Sequence, residues 1–502
     1  MPPCAAGIQP TGTIELHMLF TSTEYFILLG ITVVFFYLKT SVRWQLGIAL
    51  IASMVFYGWS QPRLLLLLLV LATITSCSSF AIAFAPAVSQ KRLSALLGFA
   101  VNIGVLFFFK YAGWFSSALF TDRSPAEFLL SLPLPLGISF YTFRSISLLI
   151  DTYRRDFDAE GLFDPTRSGF FSFYARTVFF IVFFPQLIAG PIVKAKDFMQ
   201  QIQPKHFRDI PWQRVMRLLI VGYFLKCFCA NNLQGLTVIL KNPWLNLLGA
   251  ADRWTLLTGF YCQIFADFAG YSLIAIGSSA LLGYRVSANF NFPFFADSFS
   301  DFWRRWHISL GSWLLDYIFT PLQIRWRAWG KWGTAAALLI AFTCVGIWHG
   351  AAWGFVVFGF LQAFFITVSV FYKPYRKKIN RALGIGKAGL KAGWLGRAAR
   401  AANIGVVFIC VLLCFVFIAF PGLKISLPFL KALFNPTKGI IDYNFTVGVP
   451  IFYFALPTVL YHVLSLRKHP LAPWMEDGLL AAMLYMTVVN GGPAEAFFYF
   501  QF

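Results

Sequence analysis

Apolar runs long enough to cross a bilayer follow one another along the chain, separated by short polar segments rich in Lys and Arg. Residues 64–85 (LLLLLLVLATITSCSSFAIAFA) and 401–420 (AANIGVVFICVLLCFVFIAF) hold no charge at all, and roughly 20 apolar residues suffice for a spanning helix. The pattern predicts spans at 23–38, 44–59, 64–85, 93–109, 128–150, 169–190, 213–240, 254–284, 332–348, 350–372, 401–420, 449–466 and 478–499. It therefore predicts an all-α polytopic membrane protein of about 10–13 transmembrane or re-entrant helices.

With the N-terminus outside, the first five spans alternate and put the basic loops 39–43, 86–92 and 151–168 in the cytoplasm, as the positive-inside bias requires. Residues 191–217 are basic as well (Lys194, Lys196, Lys205, Arg208, Arg214, Arg217), which breaks the alternation. One of the segments 128–150 and 169–190 is thus expected to be re-entrant. The first carries Pro133, Pro135 and Gly137, the second Pro185 and Gly190 with Pro191 beyond. Irregular backbone at membrane depth survives only when buried in protein or lining a wet cavity, so an internal cavity is expected.

Composition sharpens this picture. Hydrophobic residues make up 58% of the chain and charged residues 12%. The net charge of +21 does not indicate nucleic acid, because the basic residues gather between apolar runs. Residues 373–400 hold nine Lys or Arg and no acid, as befits a cytoplasmic loop against anionic lipid head groups of the bilayer. An anionic cytosolic donor is the second use for such a loop. Seven of the eight cysteines lie in apolar segments as small hydrophobes. Cys227 and Cys229 are two apart on a predicted helix and point to different faces. No metal-ligand spacing is present, and neither a metal nor a bound cofactor is expected. Residues 1–17 read as a leader without the features of a signal peptide, with Met18 as an alternative start and 18–502 as a single membrane domain.

One stretch departs from the apolar pattern. In DFWRRWHISLGSWLLD (301–316), Asp301, Arg304, Arg305, His307 and Asp316 are set among three tryptophans. Read as one helix, it pairs Asp301 with Arg305 at i+4 and puts Trp303 over His307, with Trp306, Leu310 and Trp313 on the neighbouring face. Such an element suits the membrane interface, with Pro321 soon after its end.

His349 is the other departure. It falls between the spans 332–348 and 350–372, flanked by Trp348, Gly350 and Trp353. An ionisable group at membrane depth is costly and marks a functional site by default, whereas the bland reading is a neutral histidine bonded to a carbonyl. Gly346, Gly350 and Gly354 let another backbone or a substrate come close. A buried imidazole stays neutral and can accept a proton. Deprotonating a hydroxyl as it attacks a thioester is its natural task. The other four histidines lack such context.

These residues carry a resemblance. SANFNFPFFADSFSDFWRRWHISLGSWLLDYIFTPL (287–322) and GIWHGAAWGFVVFG (346–359) resemble the membrane-bound O-acyltransferase (MBOAT) family, in its bacterial alginate O-acetyltransferase (AlgI)-like branch. LGISFYTFRSISLLIDTYR (136–154), FFPQLIAGPIVKAKDF (183–198) and IFADFAGYSLIAIG (264–277) support it. The resemblance implies a ring of helices around a central funnel, with a catalytic core at about 130–372. It makes His349 the catalytic histidine and His307 the second signature residue. Trp303, Arg304, Arg305, Trp306, Asp316, Trp348, Gly350, Asp267 and Asn289 would line the chamber, with Arg304 and Arg305 expected as structural anchors or lipid contacts ahead of direct donor ligands. It implies acyl transfer, most simply of acetyl, from a cytosolic acetyl-CoA or acyl carrier protein to hydroxyls of an extracytoplasmic glycan. A periplasmic or membrane-anchored partner acetyltransferase would assist, and the chain would lie in the bacterial inner membrane. Leu273 and Leu315 stand where that branch usually carries Asp and Arg. The competing expectations are D-alanyl transfer to teichoic acid, and a transporter or flippase with His349 as proton relay and Asp267 as coupling acid.

Overall fold

A computed structural model describes residues 18–119, 133–156, 167–241, 245, 247–382, 394–435, 439, 447–466, 471–493 and 497–498. The leader 1–17 and the start of the 128–150 span lie outside the described residues. Within them every regular element is helical. The first half comprises α1 (Thr23–Tyr37), α2 (Val42–Ser60), α3 (Pro62–Phe84), α4 (Val88–Leu119), α5 (Ile138–Arg154), α6 (Arg167–Val182) and α7 (Trp212–Tyr223). Then come α8 (Ala250–Leu281), the short α9 (Phe299–Trp303) and α10 (Ile308–Leu314), α11 (Gly330–His349), α12 (Trp353–Ala382), α13 (Trp394–Ala419), α14 (Leu423–Leu433), α15 (Val449–Leu464) and α16 (Pro473–Val489). Six of the described helices are long and apolar enough to cross a membrane: Pro62–Phe84, Val88–Tyr111, Ala250–Leu281, Arg327–His349, Trp353–Lys378 and Gly396–Ala419.

The hub is α8. Its residues are buried on almost every side, as a helix apolar all round must be. It packs against α7, α13, α14 and α15. Beside it α11 and α12 cross at backbone distance. A Cβ on Gly346 would strike the carbonyl of Phe355, and one on Gly359 the carbonyl of Phe342. Gly354 likewise abuts Pro421, to whose carbonyl its N–H donates at 2.9 Å. Gly346 and Gly354 therefore admit neighbouring backbone rather than substrate.

Several predicted elements end differently. The 169–190 segment is one continuous helix only to Val182; residues 183–193, fully buried, then bend through the interior with a single helical turn at Phe184–Leu187. Serine hydroxyls take up the N–H groups this leaves: Ser53 from Phe184 at 3.1 Å, Ser309 from Ile192 at 2.9 Å, Ser147 from Ala195 at 3.3 Å. This is buried irregular backbone satisfied by protein. The 213–240 segment continues past α7 as a π-helix, Phe224–Asn231, before Asn232–Thr237. The span predicted to reach 499 stops at Val489. From there the chain turns inward, Gly492 N–H meets the Cys227 carbonyl at 3.0 Å, and Phe497 and Phe498 are buried.

Candidate active site

The stretch 301–316 is not one helix. Ser298 caps α9, accepting from the Asp301 N–H at 3.3 Å, and α9 ends at Trp303. His307 then takes a left-handed conformation, φ 42°, which costs an L-residue about 1–2 kcal/mol. Tertiary hydrogen bonds compensate: Ile308 N–H to Asn289 O and Asn291 N–H to Arg305 O, both 2.9 Å. Asn289 secures the turn from behind, its Oδ1 accepting from the Ser309 hydroxyl at 2.5 Å and its Nδ2 donating to Ser272 at 2.9 Å. The Asp301–Arg305 pair forms at 2.7 Å. The chain also runs on helically through Pro321, because a π-turn at Leu315–Phe319 precedes it. Such a turn accommodates the missing proline N–H.

The break swings His307 toward α11. His307 and His349 lie on the wall of one cavity of about 20 Å³. Trp303, Trp306 and Leu310 form the wall on their side, and Ile264 of α8, Phe358 of α12, Phe415 and Ile418 of α13, and Phe498 close it. His307 meets Phe268 edge-on at 4.6 Å, and His349 meets Phe358 edge-on at 5.6 Å. Two imidazoles on the wall of one small void form a site where a hydroxyl held there meets a proton acceptor.

His349 ends α11, where backbone carbonyls lack helical partners. Lys110 and Tyr111 of α4 supply donors there: Nζ of Lys110 to the Trp348 carbonyl and the Tyr111 hydroxyl to that of Ile347. The Lys110 ammonium also stands 5.2 Å from the Trp348 ring centroid. A cation suits a helix C-terminus, so α4 holds the end of α11 that carries His349. Sequence reasoning missed Lys110 because it ended that span at 109. A lone lysine in VLFFFKYAGWF was the available signal.

Of the residues predicted to line the chamber, the structure brings Trp303, Trp306, His307 and His349 together around the cavity. The others lie outside its wall. Arg304 is solvent-exposed beside Asp301, and Arg305 is bound to Asp301 and to the Asn291 carbonyl. Trp348 turns toward Phe143 and Lys110, and Gly350 backs onto the Phe355 ring. Asn289 holds the turn. Asp316 pairs with Lys194 and Lys196. Asp267 pairs with Lys226 at 2.7 Å and accepts the Phe498 N–H at 2.8 Å. It thus reaches the chamber only through Phe498, a wall residue the sequence did not single out. His462, one of the histidines without sequence context, sits inside α15, stacked on Phe294 at 4.1 Å, with Nδ1 2.6 Å from the Thr458 carbonyl.

Comparison with known proteins places the chain in a family. The profile of the MBOAT, membrane-bound O-acyltransferase family matches residues 126–382. The chain is similar to the probable alginate O-acetylase AlgI of Pseudomonas aeruginosa, at 30% identity over 95% of this chain and 87% of that protein. It is 30% identical to the peptidoglycan O-acetyltransferase of Helicobacter pylori over 58% of each chain. It is 27% identical to the teichoic acid D-alanyltransferase of Bacillus subtilis over 57% of this chain and 68% of that one. A match across the segments that carry both histidines, within a likeness that runs nearly end to end, assigns the chain: it belongs to the membrane-bound O-acyltransferase family and is a multi-pass O-acyltransferase of the bacterial inner membrane.

Proposed function

We propose that the protein transfers acetyl groups from a cytosolic thioester, acetyl-CoA or an acetylated carrier protein, to hydroxyls of an extracytoplasmic polysaccharide, with His349 as general base. The observation that carries this reading is the meeting of His307 and His349 at one apolar cavity. An imidazole nitrogen of His349 takes the proton of the attacking hydroxyl as its oxygen bonds to the acyl carbon. The resulting tetrahedral intermediate expels the thiolate as the C–S bond breaks, and the imidazolium returns the proton to sulfur. His307 polarises or positions the acyl group. The near full-length likeness to an alginate O-acetylase supports a glycan acceptor. The likeness to a D-alanyltransferase spans less of the chain and supports that alternative less. Asp267, the acid a proton-coupled transporter would need, is committed to Lys226 and to the Phe498 backbone. A partner acetyltransferase outside the membrane would complete delivery to the polymer.

The test uses membranes carrying wild type, His349→Ala or His307→Ala at matched expression, given labelled acetyl-CoA or acetyl-carrier protein with acceptor glycan or a co-expressed partner. Wild type is expected to move label, and His349→Ala to lose about 10²–10⁴-fold in rate. Unchanged transfer by His349→Ala would remove the histidine from the chemistry.

A further inference from the structure

The cavity beside His349 measures about 20 Å³, room for roughly one water. Its size is set by the bulk of its walls, and the walls are not equally fixed. Trp306 is interlocked with rings on several sides. It stacks on Tyr261 and Phe302, both at 5.7 Å, and meets Phe290 at 5.1 Å and Phe415 at 5.5 Å edge-on. Trp303 is only half-buried. Its ring leans on Phe342 at 4.7 Å, and its indole N–H donates to Oε1 of Gln362 at 3.0 Å.

Gln362 is an unusual residue for that seam. It is fully buried on α12, one turn beyond the wall residue Phe358, and among the described residues its Nε2 has no hydrogen-bond partner. Burying an unpaired amide N–H is unfavourable. The Gln362 Oε1 meanwhile accepts the bond that fixes the Trp303 indole at the chamber wall. Behind the indole lie Phe342 and Gln362, so a group that lengthens toward this wall meets an indole backed by the α11–α12 seam.

We propose that Trp303, held by Gln362, sets the length of acyl group the enzyme accepts and restricts it to the shortest acyl thioesters. This inference rests on the acyl-transfer reading above. The wall works as a steric limit: in an apolar pocket each methylene that fails to fit lowers kcat/KM by about 10–200-fold, and two extra methylenes meet an indole that cannot yield while its hydrogen bond holds. Without the indole, the space it leaves exceeds what those methylenes occupy.

The experiment compares acetyl and butyryl thioesters, on whichever carrier supports wild-type acetyl transfer, in membranes of wild type, Trp303→Ala, Trp303→Leu and Gln362→Leu. Wild-type acetyl transfer establishes the underlying activity before any ratio is read, so its failure is told apart from failure of this inference. The butyryl-to-acetyl ratio of kcat/KM is expected to rise at least tenfold in Trp303→Ala, less in Trp303→Leu, and severalfold in Gln362→Leu, where the indole is present but no longer held. Gln362→Leu leaves every wall residue in place, and it carries the test should the tryptophan variants fail to fold. An unchanged ratio in folded, acetyl-transferring Trp303 variants overturns the role of the indole. An unchanged ratio in Gln362→Leu overturns the role of its hydrogen bond.

Discussion

Asp267 and Asp316 share one expected place: each is a carboxylate among aromatic residues that the resemblance sets on the chamber. In the fold both are ion-paired to lysine and neither lines the cavity, yet their surroundings differ sharply. Asp267 is 1% exposed and its partner Lys226 2%. The π-helix that carries Lys226 also offers its Cys227 carbonyl to the returning C-terminal chain. Asp316 is 34% exposed and shared by Lys194 at 2.6 Å and Lys196 at 3.1 Å. The first pair ties the end of the chain into the chamber wall, because Asp267 receives the N–H of Phe498. The second ties the irregular 188–194 segment to the π-turn after α10. Similar chemistry thus carries different energetic weight, and the surrounding medium sets that weight.

The comparison is tested hardest at the buried pair. Replacing Asp267 by Leu removes the carboxylate that neutralises the buried Lys226 ammonium, a loss of about 3–5 kcal/mol. A clearly lower unfolding midpoint in detergent is expected. The double variant Asp267→Leu/Lys226→Leu removes both charges and is expected to recover most of that loss, since apolar residues often replace a buried pair without penalty. A single variant as stable as wild type would show that water reaches the pair and that the contrast with Asp316 is false.

A third lysine sharpens the contrast at an intermediate scale. Lys110 is committed to a carbonyl at the end of α11, so its removal strands no carboxylate and acts on the placement of His349. A cation at a partly buried helix C-terminus contributes up to about 2 kcal/mol. Lys110→Met is therefore expected to lower kcat for acetyl transfer about tenfold with KM little changed, and Lys110→Arg to restore most of it. Equal loss in both variants, or a loss confined to KM, would move Lys110 from positioning to general packing.

These contrasts mark what the sequence could disclose. The long spans were legible because an apolar run reports membrane depth whether it faces lipid or protein, and His349 was legible because an ionisable residue between two such runs is conspicuous. The geometry at His307 was not. Helical periodicity favours continuing through 301–316, and the bonds that stop it come from Asn289 and Asn291, outside that stretch. The same holds for Phe498, whose place on the wall depends on Asp267, more than two hundred residues earlier in the chain. Gln362 was hidden for the opposite reason, as a single polar residue in a span reads as tolerated noise until its bond to Trp303 is seen.

The smallest effect belongs to Asp316. Burial favours its neutral form, but hydrogen bonds from Lys194 and Lys196 outweigh this and hold its carboxyl below the usual range. A carboxyl with a depressed folded-state pKa stabilises the fold above its unfolded value, about 3.9, and that contribution disappears as pH falls through the folded value. Its partial exposure keeps the amount near 0.5–1 kcal/mol. Asp316→Asn should therefore unfold slightly earlier than wild type at neutral pH, with the difference closing as the pH is taken below about 4. Thermal unfolding in detergent across that range reads both features. A neutral-pH difference as large as that of Asp267→Leu would mean the embedded protein shields Asp316 as fully as Asp267, and that the two carboxylates differ in position alone.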